Sequence, residues 1–494
     1  MVSKNSETSN IILRMYTKRG IVWFRQDLRL HDNEALTDAI NSLDEVVPVY
    51  VFDERAFFGK TTQFGFPKTG KYRAQFIIES VANLRSALQE IGSNLIVRVG
   101  KPEEEIFEIA QQIKTNWVFC NRERTPNEVY VQDTLEQKLW TIGQEIRYSR
   151  GKMLYYTADL PFPITHTPDS FSQFRKEVER YVPIREPLPA PEEMAPIMVR
   201  LEEGEIPAVQ HFGHPPPQRD ERAYFVYRGG ESAGLEHLYQ YLWEGETVQD
   251  YAATQCALSN QARTSRFSAW LAQGCLSPKM IYHHMKAYEQ QRGASESIQD
   301  LFQALLLRDF FRLMVKKHGF SVFEKGGLKG EADNRWRDDQ RLLERWIKGE
   351  TGVPFIDANM AEIAKTGYMS NRGRQNVASF LVNDLLVNWQ MGAEYFESIL
   401  IDYDVTSNWV NWNAAAGVSA DSRENKHYNI ISQAVKYDPK GEYVKKWLPQ
   451  LAGIPAEMVH QPDLLSTDEQ DQLHLHIGAD YPEAMIPTER WRVR

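Results

Sequence analysis

The chain has 494 residues, of which 42% are hydrophobic and 12% aromatic, enough for a sizeable core and too many for intrinsic disorder over most of its length. Lys and Arg number 57 against 67 Asp and Glu, a formal charge of −10, which excludes a uniformly basic nucleic-acid coat but not a local basic groove. The three cysteines, Cys120, Cys256 and Cys275, make no CxxC pair, no apolar run is long enough to span a bilayer, and no signal-peptide core opens the chain, so a non-membrane protein of the reducing cytoplasm is expected.

Residues 1–19 are polar and read as a flexible extension. From residue 20 to about 159 strands alternate with amphipathic helices. Gly20–Phe24 is an apolar strand, Asp32-Asn33 caps a short helix to about Asn41, and Glu45–Asp53 is a second buried strand. Tyr72–Ile91 carries Phe76, Ile77, Val81, Leu84 and Leu88 at helical spacing, with Gly92 placed to stop it. A strand at Asn94–Val99, a helix at Glu103–Ile113, a strand at Trp117–Cys120 and a helix after Pro126 continue the pattern. The sum is an α/β domain with a doubly wound parallel sheet. Residues 160–225 are rich in proline and acidic residues and read as a long linker that packs on both sides, interrupted by a helix near Ser170–Glu179. Residues 226–494 read as all-helical: Ser297–Lys317, with Ser297 and Asp300 at capping-box spacing, then Arg372–Trp389 and Ala393–Ile401.

Most short motifs carry little chemistry. Gly65–Lys71 resembles a phosphate-binding loop, but Tyr72 stands where a magnesium-holding hydroxyl is needed and Pro67 removes a backbone donor, so an ordinary loop is expected. The first strand lacks a GxGxxG fingerprint, there is no GxSxG elbow, and the 12 histidines lack metal-ligand spacing, so no metal is expected. The helical half is richer. Thr264-Ser-Arg-Phe-Ser268 places hydroxyls and an arginine at a helix start, an anion site or merely an N-cap cluster. Arg308, Arg312, Lys316 and Lys317 line one helix, either as a solvated face or as a phosphate-facing stripe. Asn371-Arg-Gly-Arg374 and Asp402-Tyr-Asp404 supply charges that, if buried, need each other or a polar ligand. Trp336, Trp346, Trp389, Trp409 and Trp412 crowd one region among polar residues, where core packing and a chain of oxidisable indoles are both open.

Val22-Trp-Phe-Arg-Gln-Asp-Leu-Arg-Leu-His-Asp-Asn33, Thr264–Ser268, Gly349–Met360 and Leu400–Trp412 together resemble the cryptochrome/photolyase flavoproteins. Gly367–Phe380, Asp159–Phe162 with Phe174-Arg-Lys176, and Tyr437–Tyr443 are similar to the cryptochrome DASH branch. The resemblance runs from about residue 20 to about residue 485. It implies FAD in the helical domain and an optional antenna, methenyltetrahydrofolate in the usual case, contacted by Glu123 near the α/β domain. Tyr251, Thr264, Ser265, Arg266, Phe267 and Ser268 match its phosphate-gripping positions. Arg308, Asn371, Arg374, Asp402 and Asp404 match positions lining the flavin, with Arg374 and Asp402 as the ion pair beside the ring. Asn408 matches the residue facing flavin N5. Trp412, Trp389 and Trp336 match the inner, middle and outer members of an electron-transfer chain, the last near solvent.

The substrate pocket departs from the family. Ala304, one turn before Arg308, replaces its Glu; Leu307, immediately before Arg308, replaces its Trp; and Ala414 replaces an aromatic residue beyond Trp412. Tyr251-Ala-Ala-Thr-Gln departs from the usual DASH segment. Ser370 and Gln375 stand at the histidine positions of (6-4) photolyases, which argues against that repair. Two functions follow from the resemblance: a light-driven enzyme splitting cyclobutane pyrimidine dimers, preferably in single-stranded DNA, with weakened repair; or a photoreceptor that binds nucleic acid without repairing it. Cofactor and tryptophans fit both, and the emptied pocket favours the second. A colourless nucleotide-binding protein is the third option. Arg312, Lys316, Lys317, Arg372 and Lys426 are candidate phosphate contacts, damaged or single-stranded DNA is the expected partner, and a monomer is expected.

Overall fold

A computed structural model describes residues 18–255, 257–258, 264–330, 335–420 and 427–491; Cys256, Lys426 and residues 1–17 of the expected extension lie outside them. Five parallel strands, β1 (Arg19–Phe24), β2 (Glu45–Asp53), β3 (Ile96–Gly100), β4 (Trp117–Asn121) and β5 (Glu145–Ser149), lie in the order β3-β2-β1-β4-β5. Alternate residues face opposite sides of a strand. Thus Ile21, Trp23, Val47, Val49 and Val118 pack under helices α3 (Pro102–Ile113) and α4 (Pro126–Trp140), while Val22, Phe24, Tyr50, Phe52 and Phe119 pack under α1 (Glu34–Ser42) and α2 (Lys71–Glu90). Helices on both faces make this a doubly wound domain. Pro48 is tolerated inside β2 because β3 begins to pair only at Val49, leaving a single strand neighbour at that position.

The proline-rich connector is a strap. Its helix α5 (Phe171–Tyr181) sets Phe171 and Phe174 against Phe310, with ring centroids 5.7 and 5.4 Å apart. Farther on, Val97 N–H donates to the Glu203 carbonyl at 2.8 Å, and Arg98 donates to the Glu202 carbonyl at 3.0 Å. The strap therefore covers the open β3 edge, a surface that would otherwise invite pairing with another chain.

The helical half is built around α6 (Ser268–Gln273), α7 (Glu296–His318), α8 (Asn371–Ser379), α9 (Trp389–Ile399) and α10 (Val405–Ala416). Two sequence expectations shift here. The cap of α7 is Ser295, which accepts from Ile298 N at 3.3 Å; Ser297 is already engaged, donating to the Gln249 carbonyl and accepting from Ala252 N. The helix expected from Arg372 to Trp389 breaks after a π-turn at Phe380–Asp384. Leu386 takes a left-handed φ of 55°, Arg337 N donates to Leu386 O and Asn388 N to Arg337 O, both at 2.9 Å. Tertiary pairing with the segment after Trp336 has pulled these residues out of the helix, and Asn388 caps a new one at Trp389.

The two halves share one hydrophobic cluster, in which Val22 and Phe24 continue to Leu301, Leu305 and Phe310. Arg29, 1% exposed, pins the junction. It donates to the carbonyls of His31 (3.0 Å), Asp32 (2.9 Å) and Gly151 (3.1 Å) on one side and Gly274 (2.8 Å) on the other. Gly274 sits at φ 68° with the Gln26 carbonyl where a Cβ would be, so no other residue permits this approach. Arg29→Met keeps the volume but strands four buried carbonyls. It should lower stability by at least about 3 kcal/mol in urea unfolding, since each orphaned buried group costs ~1–3 kcal/mol; a smaller loss would show that water satisfies them.

Candidate functional site: a helical cavity with a cationic annex

A cavity of about 350 Å³ opens between α6, α7, α8 and α10. Helix α10 begins at Asp404, whose carboxylate accepts from Ser407 N at 2.9 Å and from the Thr406 hydroxyl at 2.5 Å. That cap fixes the helical phase, so Asp404, Ser407, Asn408, Asn411, Trp412 and Ala415 form one wall. Ala414, expected in the substrate pocket, is not in that wall. It is 3% exposed and turned about 100° from Ala415, the angle of one helical residue. Ala415 takes the wall position instead.

From α7 come Leu301, Ala304, Leu305, Leu307, Arg308 and Phe311. Ala304 is exposed and Leu307 half-buried, so they form an aliphatic rim. Arg308 is deeper, donating to the Lys152 carbonyl at 2.9 Å and the Leu271 carbonyl at 3.1 Å. Burial, helped by the Arg312 charge, pushes its pKa down to about 10. Arg312 was expected to meet phosphate; instead it is largely buried and donates to Asp404 at 2.7 Å. Burial alone would raise the Asp404 pKa, but Arg312 and Arg308 outweigh it and hold the carboxyl far below its ordinary value of 3.8.

At the opposite wall Arg374 donates through Nη2 to both Asp402 oxygens, at 2.9 and 2.8 Å, and through Nε to the Met369 carbonyl at 2.8 Å. Burial disfavours its charge, but Asp402 more than compensates and its pKa is raised. Asn371 and Gln375 line the same side; Ser370 caps α8 through Gly373 N at 3.0 Å. Tyr368, which the sequence did not single out, lies between two guanidinium groups, 4.5 Å from Arg266 and 5.4 Å from Arg374. Its only sequence signal was its place within the Gly367–Phe380 segment.

The polar end is made by Tyr251 and Thr264, Ser265, Arg266, Phe267 and Ser268. Helix α6 has only six residues, too short for an appreciable dipole, so the charge here comes from Arg266, held at φ 49°. Hydroxyls and an arginine at one end, an arginine–carboxylate pair at the other, and Leu301, Leu305, Phe396 and Trp412 between them suit a flat aromatic ring joined to a diphosphate. These residues fit FAD.

The tryptophans converge. Trp412 is in the cavity wall, packed edge-on to Phe396 at 5.2 Å, its ring filling the space left by Gly392 on α9. Trp389 is fully buried and donates to the Lys325 carbonyl at 3.1 Å. Trp336 donates to the Val382 carbonyl at 3.3 Å and is 6% exposed, so it lies beneath the surface rather than in solvent. Its neighbour Arg337 pairs with the turn leading into Trp389.

The other expected phosphate contacts do not form one stripe. Lys317 donates to the Thr167 carbonyl at 2.8 Å and to Asp169 at 2.6 Å, because the strap clasps the end of α7. Arg372 lies over the Tyr437 ring at 4.6 Å. Lys316 instead joins Arg122, Arg124, Arg150 and Arg312 in a small second pocket with Glu123, Thr125 and Thr406. Burial, with the charges of Arg124, Arg150 and Arg122, lowers its pKa to about 8. This annex lies beyond the carboxyl end of β4, beside the strand-order reversal between β1 and β4, where doubly wound sheets take ligands. Glu123 is buried there and paired with Lys152. Among the described residues no group of three or more His, Cys, Asp or Glu is placed to hold a metal, and no helix is long and apolar enough to cross a membrane.

Family models match both halves: DNA photolyase over residues 20–192 and the FAD binding domain of DNA photolyase over residues 301–494. Cryptochrome DASH of Gloeobacter violaceus is 45% identical over 472 residues, 96% of this chain and 94% of that protein. Cryptochrome DASH of Xenopus laevis is 42% identical over 95% of this chain and 90% of its own. The crystal structure of a Synechocystis sp. cryptochrome superposes with a TM-score of 0.92 at 43% identity, covering 96% of this chain and 98% of that one. The chain belongs to the cryptochrome/photolyase family, in its cryptochrome DASH branch, and its helical half is an FAD-binding domain.

Asp404→Asn removes the counter-charge of Arg312 and Arg308. It should cost about 3–5 kcal/mol of stability at pH 7, the usual loss when one partner of a buried pair is removed. Because the folded pKa of Asp404 is depressed, its contribution is present above the ordinary value of 3.8 and lost as the pH falls through the folded one. The gap between parent and variant should therefore narrow below about pH 4, measured as denaturant midpoints across a pH series.

Proposed function

We propose that this protein is a blue-light-driven flavoprotein that binds single-stranded or damaged DNA at the cavity rim and splits cyclobutane pyrimidine dimers weakly. FAD, when bound, supplies light absorption and one-electron chemistry. The protein's part is to hold and orient. Arg374 and Asp402 fix one end of the cavity, Tyr251 and Thr264–Ser268 grip the other, and Asn408 presents an amide from the α10 wall, its Nδ2 donating to the Ala393 carbonyl at 3.1 Å. Trp412, Trp389 and Trp336 relay electrons from the surface side. Apolar walls keep water from the reacting groups.

The observation that carries most weight is the rim. A flipped pyrimidine pair needs a polar partner and an aromatic face, and Ala304 and Leu307 offer neither. That rim favours a second function, a photoreceptor that binds nucleic acid without repairing it. The cationic annex at Glu123 and Lys316 suits an antenna carrying anionic groups, of which methenyltetrahydrofolate is the family's usual one. Denaturing the purified protein and identifying the released chromophores tests both cofactors; a colourless protein would sink the proposal. A monomer acting in the cytoplasm is checked by gel filtration and cell fractionation.

Trp412→Phe should sharply slow photoreduction by an external reductant without changing flavin content, because phenylalanine keeps the packing but resists oxidation. Equal rates in parent and variant would make Trp412 purely structural.

Ala304→Glu with Leu307→Trp should strengthen binding of a single-stranded, dimer-containing oligonucleotide and raise repair. One hydrogen bond at ~1–3 kcal/mol and one stacked base at ~1–3 kcal/mol, discounted for non-additivity, give about 3 kcal/mol, or roughly a hundredfold. Ala414→Tyr would add nothing to this gain, since at a buried position that side chain would overpack the interior. Repair by the parent at full efficiency, or no gain in the double variant, would refute the weakened-pocket assignment.

A further inference from the structure

A second line of aromatic side chains leads from Trp389 back to the cavity without passing through Trp412. Trp389 and Trp409 meet edge to face with ring centroids 5.7 Å apart. The Trp409 indole Nε1–H donates to the Tyr403 hydroxyl at 3.3 Å. That hydroxyl in turn donates to a Glu397 carboxylate oxygen at 2.9 Å. Tyr403 lines the cavity, and the Arg73 guanidinium lies over its ring, 4.6 Å from the centroid.

A hydrogen bond to a carboxylate could do no more than satisfy a buried hydroxyl. Three features together exceed that requirement. The phenol is bonded at once to an oxidisable indole and to a base. Losing an electron makes a phenol a strong acid, so oxidation proceeds where a base already accepts the phenol's hydrogen bond, and Glu397 does. The Arg73 cation opposes positive charge on the ring, so the proton must leave with the electron.

We infer that Tyr403 is a redox-active tyrosine, a second branch off the tryptophan series at Trp389, with Trp409 as its bridge and Glu397 as its proton acceptor. The branch rests on the flavoprotein function only for its natural oxidant, the light-excited flavin, which leaves Trp389 one electron short. Trp409 then gives an electron to Trp389, and Tyr403 gives one to Trp409. The Tyr403 O–H bond breaks, its proton passes to Glu397, and a neutral tyrosyl radical faces a carboxylic acid. A thiolate reductant returns one electron to Tyr403 while Glu397 returns the proton; the thiyl radical left behind pairs with a second one to a disulfide, closing the cycle. The branch stores the oxidising equivalent inside the protein, where the route through Trp336 carries it outward.

The test is ultraviolet laser photoionisation of the indoles in the full chain as purified, followed by transient absorption of the tryptophan and tyrosine radicals. The parent should convert tryptophan radical to tyrosyl radical at a rate independent of protein concentration. The difference between parent and Tyr403→Phe isolates one tyrosine among 22. That phase should vanish in Tyr403→Phe and be strongly slowed in Trp409→Phe. In Glu397→Gln, which keeps an acceptor oxygen but not a base, it should slow about a hundredfold, the lower end of what a positioned base contributes. Heavy water should slow the parent but not Glu397→Gln. Identical traces for parent and Tyr403→Phe would overturn the proposal, as would an unchanged rate in Glu397→Gln, which decides the matter if Tyr403→Phe fails to fold. Photoionisation needs no flavin, so a colourless protein would defeat the flavoprotein function while leaving this test in force.

Discussion

The carboxylate of Asp404 is the group on which most of the site depends. It starts α10 by capping Ser407 N, which sets the helical phase and so aims Asn408 and Trp412 into the cavity. It also neutralises Arg312, holding α7 against α10. The same two helices supply the rim, through Ala304 and Leu307, and the inner wall. One buried charge thus performs a cap, a helix–helix tie and the polarity of the cavity. An unpaired arginine in that position would cost several kcal/mol, so the sequence must supply Arg312 and Asp404 together.

Arg312 faces both ways. Its guanidinium donates to Asp404 in the wall of the large cavity, and the same residue lines the annex with Lys316 and the arginines after β4. The α/β and helical halves therefore meet at polar contacts as well as at a shared core. Arg29 binds carbonyls on both sides, and Asp309 accepts from Leu154 N at 3.1 Å and Tyr155 N at 2.9 Å. Such interfaces are directional: they permit one relative placement, where apolar packing alone would tolerate several. That placement brings the carboxyl end of β4 over α7.

The sequence was informative where local rules decide. Strand–helix alternation located β1 to β4, Gly92 did end α2 at a φ of 95°, and the alternation of strands with amphipathic helices implied a parallel sheet covered on both faces. Helical spacing placed Ala304, Leu307 and Arg308 on one face, and all three line the cavity. It failed where a competing tertiary partner won. Ser297 looked like a cap until Gln249 and Ala252 claimed its hydroxyl, and the run to Trp389 looked continuous until Arg337 paired across it.

The sequence alone determined the order of elements, the family resemblance and the residue types that close the cavity, because periodicity, turn chemistry and motif identity are written residue by residue. It could not say which cations remain available. Arg312 and Lys317 share a stripe on paper, yet one is buried on Asp404 and the other is clasped by the strap, while Lys316 between them enters the annex. Nor could it distinguish Ala414 from Ala415, or reveal Tyr403, Trp409 and Glu397 as one hydrogen-bonded line. Those facts depend on contacts between residues far apart in the chain, on the exact phase of a helix, or, for Tyr403 with Glu397 and Trp409, on how the turn between α9 and α10 folds back on both helices. Burial and partnership are properties of the folded assembly, and only the tertiary structure assigns them.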